Sequence, residues 1–252
     1  MGHTTRKSRL GVYVALFIGA ACLAGAAANY LTKKPPQILN GLNHYSIIID
    51  LRSGNYSLRP VLANTDKSEH FEDVMARVKP FAAITGTFFD PHYKPLGDIV
   101  IDGKLANRGG QRQGVGVTHS GRIVFRERIG SARIDWSGCR EGIACGPRLL
   151  RAGKIAIDVR ADGFKQGAAT LKAARCAAGA TGDGKLIILA VRDPITLQTL
   201  AEAMSQLGAV DAINLDGGSL CGFYSNGKCR IRPLMPVSNV LVVHKNKKGE
   251  VF

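Results

Sequence analysis

The sequence is short of acid and of familiar catalytic signatures. Asp and Glu number 19 against 34 Lys and Arg, a formal net charge of +15. H-E-x-x-H, G-x-S-x-G and the P-loop are all absent, which removes the zincin, nucleophile-elbow and Walker classes that those spacings define. No C-x-x-C pair occurs, which argues against a zinc site built on thiolates. An RNP aromatic signature and paired zinc ligands are missing too, and the basic residues are spread rather than blocked, which argues against a nucleic-acid partner. Internal repeats and low-complexity tracts are absent beyond a short linker.

Charge is also missing from one long run. Leu10 to Leu31 carries none, and His3, Arg6, Lys7 and Arg9 stand before it. An apolar run of 22 residues exceeds a typical signal-peptide core of roughly 7–15 and reaches the ~20 needed to span a bilayer. Ala26-Ala27-Ala28 offers a small-residue cleavage site, so residues 1–31 read as a signal peptide or a signal anchor. The basic start keeps the amino terminus in the cytoplasm and sends the body across the membrane. The chain is therefore expected to be exported, periplasmic or extracellular, and tethered by residues 10–31 if uncleaved. A linker over 32–43, "TKKPPQ" within it, leads to one domain over 44–252.

Residues 1–28 hold Arg6, Lys7 and Arg9 and no acid, so +12 remains on the body. That balance favours an anionic partner: a membrane surface, a phosphate-bearing polymer or nucleic acid, the last disfavoured by the missing motifs and by the export signal. Beyond Cys22 the body has Cys139, Cys145, Cys176, Cys221 and Cys229. In an oxidising compartment the spacing suggests local staples, Cys139 with Cys145 and Cys221 with Cys229, leaving Cys176 over.

Along the body, His44–Leu51 and Tyr56–Ala63 are apolar runs separated by "RSGN", a hairpin pattern. Phe71, Val74, Met75 and Val78 lie at helical spacing, with Ser68 as expected N-cap and Pro80 as stop. Phe81–Thr85 reads as a buried strand, and Asp102-Gly103 as a tight hairpin turn. Short strands follow near "RIVFRE", "ARIDW" and "KIAIDV". A second hairpin turns at Gly182-Asp183-Gly184. Leu197, Leu200, Met204 and Leu207 then mark a helix from Thr196 to Leu207, stopped by Gly208. The strand "VDAINL" returns and delivers Asp216. The fold class is α+β: a mixed, mostly antiparallel curved sheet with two main amphipathic helices.

Asp216 ends a strand and opens a glycine turn. A carboxylate there can serve as general acid, base or nucleophile, or can bond its own turn. Asn214 lies on the same strand face and can hold a sugar hydroxyl or pin the turn. Arg175 offers a planar fork matched to a phosphodiester, against the alternative of a surface cation. Arg148 after Gly146-Pro147 is a weaker candidate of the same kind. Asp90 and Asp193 are possible second carboxylates, but each precedes a proline and reads as a turn opener. His92 reads as a solvated loop residue. Gly86, Gly146, Gly217 and Gly218 would let backbone amides approach a phosphate or sugar, or simply permit turns.

Four segments occur in order, each where a strand meets a glycine: "AAITGTFFD" (82–90), "CGPRLLRAGK" (145–154), "ARCAAGATGDGKLIILAV" (174–191) and "INLDGGS" (213–219). Together they resemble the phosphodiester glycosidase family, with its "NGGFF"-like, "GP-x-L" and "NLDGGGS" elements, over roughly 81–243. This chain departs at Thr85-Gly86-Thr87, where the family has Asn-Gly-Gly, and has two glycines rather than three before Ser219. The resemblance implies hydrolysis of a glycosidic bond to a phosphodiester or related envelope glycan. Asp216, Arg175 and Asn214 would be catalytic, and Thr85, Gly86, Gly146, Gly217, Gly218 and Ser219 would bind substrate. No cofactor is required, a divalent cation is an option, and the partner is an anionic glycan or sugar phosphate. A non-catalytic module that binds anionic polysaccharide is the alternative; a basic nucleic-acid or membrane-surface protein, where charge alone does the work, is a third.

Overall fold

Two-sided burial organises the chain. Along Leu186–Val191, successive side chains enter alternate cores: Leu186, Ile188 and Ala190 one, Ile187, Leu189 and Val191 the other. Such a strand must lie in a sheet covered on both faces. The structure, a computed structural model, describes residues 34–64 and 68–246. The segment 1–31 lies outside them.

In chain order the strands are β1 (His44–Ile49), β2 (Tyr56–Leu62), β3 (Ala82–Thr85), β4 (Ile99–Ile101), β5 (Lys104–Asn107), β6 (Gln113–Thr118), β7 (Ile123–Glu127), β8 (Cys139–Cys145), β9 (Arg148–Arg151), β10 (Lys154–Ile155), β11 (Ala173–Thr181), β12 (Leu186–Ile195), β13 (Ala209–Leu215), β14 (Phe223–Ser225), β15 (Lys228–Ile231) and β16 (Asn239–Lys245). Helix α1 (Phe71–Val78) follows β2, and helix α2 (Leu197–Gln206) joins β12 to β13. The fold is α+β and antiparallel, as expected, with the strands divided among three sheets. Their orders are β1-β12-β11-β13-β9-β10, β15-β14-β3-β16-β2 and β5-β4-β8-β6-β7.

The central core lies between the sheets: Ile47, Ile188 and Ile213 from the first, Ile84 and Leu241 from the second, Ile99, Val115 and Ile143 from the third. Helix α2 covers the outer face of the first sheet with Leu197, Leu200 and Met204. Helix α1 covers the second with Phe71, Val74 and Met75. Each such side chain contributes roughly 1.5–3 kcal/mol by leaving water. Because β12 and β13 both run antiparallel to β11, they are parallel to each other and need a crossover, which α2 supplies. Thr196 caps that helix, its hydroxyl accepting the Thr199 N–H at 3.1 Å.

Several expectations change. β1 and β2 are not a hairpin, because β1 pairs with β12 and β2 with β16. Asp50 accepts the Arg52 N–H at 3.0 Å and closes a short 3-10 turn over Leu51–Ser53 that carries the chain from one sheet to the other. Ser68 is not the cap of α1; His70 holds that position without a side-chain bond. The "ARIDW" stretch forms no strand. Part of the expected linker is docked, since Leu39 is fully buried among the α2 residues.

The cysteine staples fail on geometry. Cys139 and Cys145 sit at opposite ends of β8; six residues of strand span roughly 20 Å, against the ~6 Å between bridged Cα atoms. Cys229 turns toward the Ile231 carbonyl, at 3.3 Å, while Cys221 packs beside Cys176. All five are free thiols in the structure.

Candidate active site

The three sheets meet where β13 ends. The Asp216 N–H donates to the Gly86 carbonyl at 2.9 Å, tying the first sheet to the end of β3 in the second. The Asn214 side-chain amide donates to the Gly146 carbonyl at 3.0 Å, and its backbone N–H to the Pro147 carbonyl at 3.0 Å, tying the same strand to the β8–β9 turn.

At this junction Asp216 is 6 % exposed. Its Oδ1 accepts the Gly217 N–H at 2.9 Å, and its Oδ2 has no protein hydrogen-bond partner. Burial drives its carboxyl from an ordinary 3.8 up to about 7, against the small opposing pull of the Gly217 amide. No charged neighbour contributes to that rise. Asn214 Oδ1 and Thr87 Oγ1 are buried without a partner as well. Cys145 is a neighbour of both Thr87 and Asp216: its thiol is pushed up to about 12 by burial, with the Thr87 side chain opposing and the Asp216 carboxylate adding to the effect.

Arg175 extends the β11–β13 register to the position opposite Asp216, since Cys176 pairs with Leu215. Its guanidinium donates to the carbonyls of Ile195 at 3.3 Å and Leu171 at 2.5 Å. Burial alone lowers its pKa, and no carboxylate supports it. Arg148 is different: it is buried, pairs with Asp211 and lies 4.6 Å from the Phe125 ring centroid, all of which lock it into the fold.

The glycines divide by role. A Cβ at Gly86 would fall 2.0 Å from Asn239 Oδ1, and one at Gly217 would fall 2.6 Å from the Ala174 carbonyl oxygen. These two permit close packing. Gly218 has φ +59 with open space around it, and Gly146 has φ +151. Those two permit backbone conformations that side chains resist. Ser219 is exposed, and its carbonyl accepts the Leu234 N–H at 2.7 Å.

The departures in the first motif have a physical account. Thr85 is fully buried, and its hydroxyl donates to the Leu220 carbonyl at 2.6 Å, bracing the turn that follows Asp216. Thr87 is held through its backbone, with Asn239 accepting its N–H at 2.7 Å and donating to its carbonyl at 3.0 Å. Only the middle glycine is demanded by packing. Asp90 is a turn residue whose Oδ1 accepts the N–H groups of His92 and Lys94, both at 2.9 Å. Asp193 accepts the Asn43 N–H at 2.6 Å. Neither supplies a second carboxylate beside Asp216.

Cys145, Thr87 as a side chain, and Asn239 were not anticipated. A polar Asn opening the valine-rich run "SNVLVV" was the available signal for the last. Among the described residues no group of three or more His, Cys, Asp or Glu could hold a metal ion, and no helix is long and apolar enough to cross a membrane. A separate cleft of about 670 Å³ is lined by Arg59, Asp102, His119, Arg140, His244 and Lys245, with Arg59 paired to Asp102 at 2.6 Å.

A buried carboxyl titrating near neutrality where strands converge is the kind of proton-transfer group that hydrolases carry. Residues 79–244 match the phosphodiester glycosidase family, and the chain belongs to it. Its fold is similar to that of the zebrafish N-acetylglucosamine-1-phosphodiester alpha-N-acetylglucosaminidase catalytic domain, auto-inhibited by its pro-peptide, with TM-score 0.66 and 23 % identity over 89 % of this chain and 91 % of that one. A hypothetical protein from Synechocystis aligns with TM-score 0.61 and 18 % identity over 79 % of this chain, which spans 58 % of that protein. A candidate exported protein from Burkholderia pseudomallei aligns with TM-score 0.59 and 14 % identity over 80 % of this chain and 73 % of that one. Among curated proteins, no sequence matches.

Proposed function

We propose that the protein is an exported hydrolase that cleaves the bond between a sugar anomeric carbon and a phosphodiester, in a sugar phosphate or a related anionic envelope glycan. The observation that carries this reading is the carboxyl of Asp216, raised to about 7 by burial with no second carboxylate among the causes of that rise. Ordinary glycoside hydrolysis uses two carboxylates because the departing alkoxide must be protonated while water or a nucleophile attacks. A phosphate monoester leaves without that help. One carboxylate, acting as general base on water through its free Oδ2, then suffices.

Arg175, a half-buried cation with no acidic partner, would hold the phosphate charge. Asn214 and Thr87 would orient sugar hydroxyls through their unpartnered oxygens. The reading needs no metal, and activity is expected to survive a chelator. Export is supported by the basic start and the uncharged run from Leu10 to Leu31. The same run would tether the protein to a membrane where it is not cleaved.

The test is turnover of a panel of sugar-1-phosphodiesters by the full chain, with Asp216→Asn as control. Release of free sugar is expected, falling 10²–10⁴-fold in the variant. If no diester is cleaved while anionic glycan still binds, the polysaccharide-binding module replaces the enzyme. A base must be ionised, so kcat/KM is expected to fall about tenfold for each pH step below an apparent pKa near 7. Activity falling above pH 7 instead would make Asp216 the acid.

A further inference from the structure

Behind the Asp216 turn two sulfur atoms face each other. Cys176 Sγ lies 3.4 Å from Cys221 Sγ, and both residues are buried, at 0 % and 2 % exposure. Cys176 sits on β11 opposite Leu215, one residue from Arg175. Cys221 follows the short 3-10 turn Gly218–Leu220 that closes the glycine loop. Its sulfur also approaches the carbonyls of Arg175 and Val191, each at 3.7 Å, so it is seated against β11 and β12. We propose that Cys176 and Cys221 form a disulfide that fastens the loop after Asp216 to the strand carrying Arg175.

The sulfurs need to close by only about 1.4 Å to reach the bonded distance of roughly 2.05 Å. Among the described residues the two sequence-local pairings are set aside by the length of β8 and by the turn of Cys229 toward the Ile231 carbonyl. Gly217 already touches the same strand, its Cα hydrogen standing where a Cβ would meet the Ala174 carbonyl. The bond would reinforce an approach the glycine makes possible.

The chemistry is thiol–disulfide exchange with an oxidant that itself bears a disulfide. One cysteine thiolate attacks the oxidant, forming a mixed disulfide and releasing one oxidant thiol. The second thiolate attacks that mixed disulfide, forming Cys176–Cys221 and releasing the other. Two protein thiols are oxidised, one oxidant disulfide is reduced, and the two protons lost by the cysteines end, by way of solvent, on the two released oxidant thiols. Burial holds the Cys176 thiol far above its ordinary titration range, so the folded protein has almost no thiolate there. The bond therefore forms as the chain folds and, once made, is shielded from reductants.

The inference stands independently of the proposed hydrolysis and is tested without it. The full chain is denatured, reduced and refolded in detergent with oxidised glutathione in excess, then alkylated and mapped by mass spectrometry without reduction. A peptide linked through Cys176 and Cys221 is expected. Alkylation of both, or linkage of either to another cysteine, overturns the proposal. Thermal unfolding provides the second reading. Wild type and Cys139→Ser refolded with oxidised glutathione should melt about 5–12 °C above the same chains refolded with reductant. Cys176→Ser and Cys221→Ser should show no such difference; an equal difference in all four chains would remove the bond as its cause.

Discussion

Asp216→Asn is expected to make the protein more stable at pH 8 while it cuts turnover 10²–10⁴-fold. The folded carboxyl titrates near 7 because it is buried, whereas the unfolded one titrates near 3.8. Below about pH 4 both states hold the proton, and titration of the residue makes no difference to stability. Between about 4 and 7 only the folded state keeps it, so wild type loses stability as pH rises, and above 7 the loss is complete. A rise from 3.8 to about 7 corresponds to roughly 4 kcal/mol as an upper bound. The asparagine amide has no ready acceptor in the same place, so a net gain of about 1–3 kcal/mol is expected at pH 8. That is a rise in Tm of roughly 3–9 °C, which shrinks as pH falls and reverses near pH 4, where the linkage gain is gone and the cost of the unmatched amide remains. Glu141 is also buried, and its carboxyl is pushed to about 7, so the pH dependence of wild type combines at least these two groups. The difference between wild type and Asp216→Asn isolates one of them. A pH-independent difference would show that the carboxyl is not held protonated by burial, and the assignment of the base would go with it.

What could be read from the sequence followed from how local each feature is. The turn at Asp102-Gly103 is legible because it needs positive φ at adjacent residues, and Asp102 and Gly103 adopt +50 and +74. Helix α2 is legible because Leu197, Leu200 and Met204 repeat on one face and Thr196 caps it. The partners of β1 and β2 are not local. "HYSIII" and "YSLRPVL" are close in sequence, yet their hydrogen bonds go to strands more than a hundred residues away. The cysteine pairing failed for the same reason, since proximity in sequence placed Cys139 and Cys145 at opposite ends of one straight strand. In the site, Asn214 and Asp216 announce themselves as polar side chains closing an apolar strand. Cys145 and Asn239 arrive from β8 and β16 and look like ordinary core and strand-start residues until three sheets are brought together. Gly86 looked like a candidate for ligand approach, and its packing against Asn239 could be learned only from the fold.

Gly86→Ala is the second large effect expected. The new methyl would stand 2.0 Å from Asn239 Oδ1 and 3.1 Å from both Asn239 Cγ and Ile143 Cδ1. Asn239 is 1 % exposed and holds both polar groups of the Thr87 backbone, so moving it leaves a buried N–H and a buried carbonyl unsatisfied. Overpacking costs about 1–3 kcal/mol and each orphaned polar group a further ~1–3. A loss of roughly 3–5 kcal/mol, or about 8–15 °C in Tm, is expected. Turnover should fall beyond what stability explains, because the Gly86 carbonyl also accepts the Asp216 N–H. Gly218→Ala is the contrasting change: the space is open and only positive φ is disfavoured, so about 1 kcal/mol is expected. Asn239→Ala removes the obstructing oxygen at its own cost in hydrogen bonds. If the clash is the cause, Gly86→Ala added to Asn239→Ala should cost less than 1 kcal/mol more, a coupling measured directly by the double-mutant cycle. Additive losses would mean that the glycine is required for its backbone, and the account of the Thr-Gly-Thr motif as packing would fail.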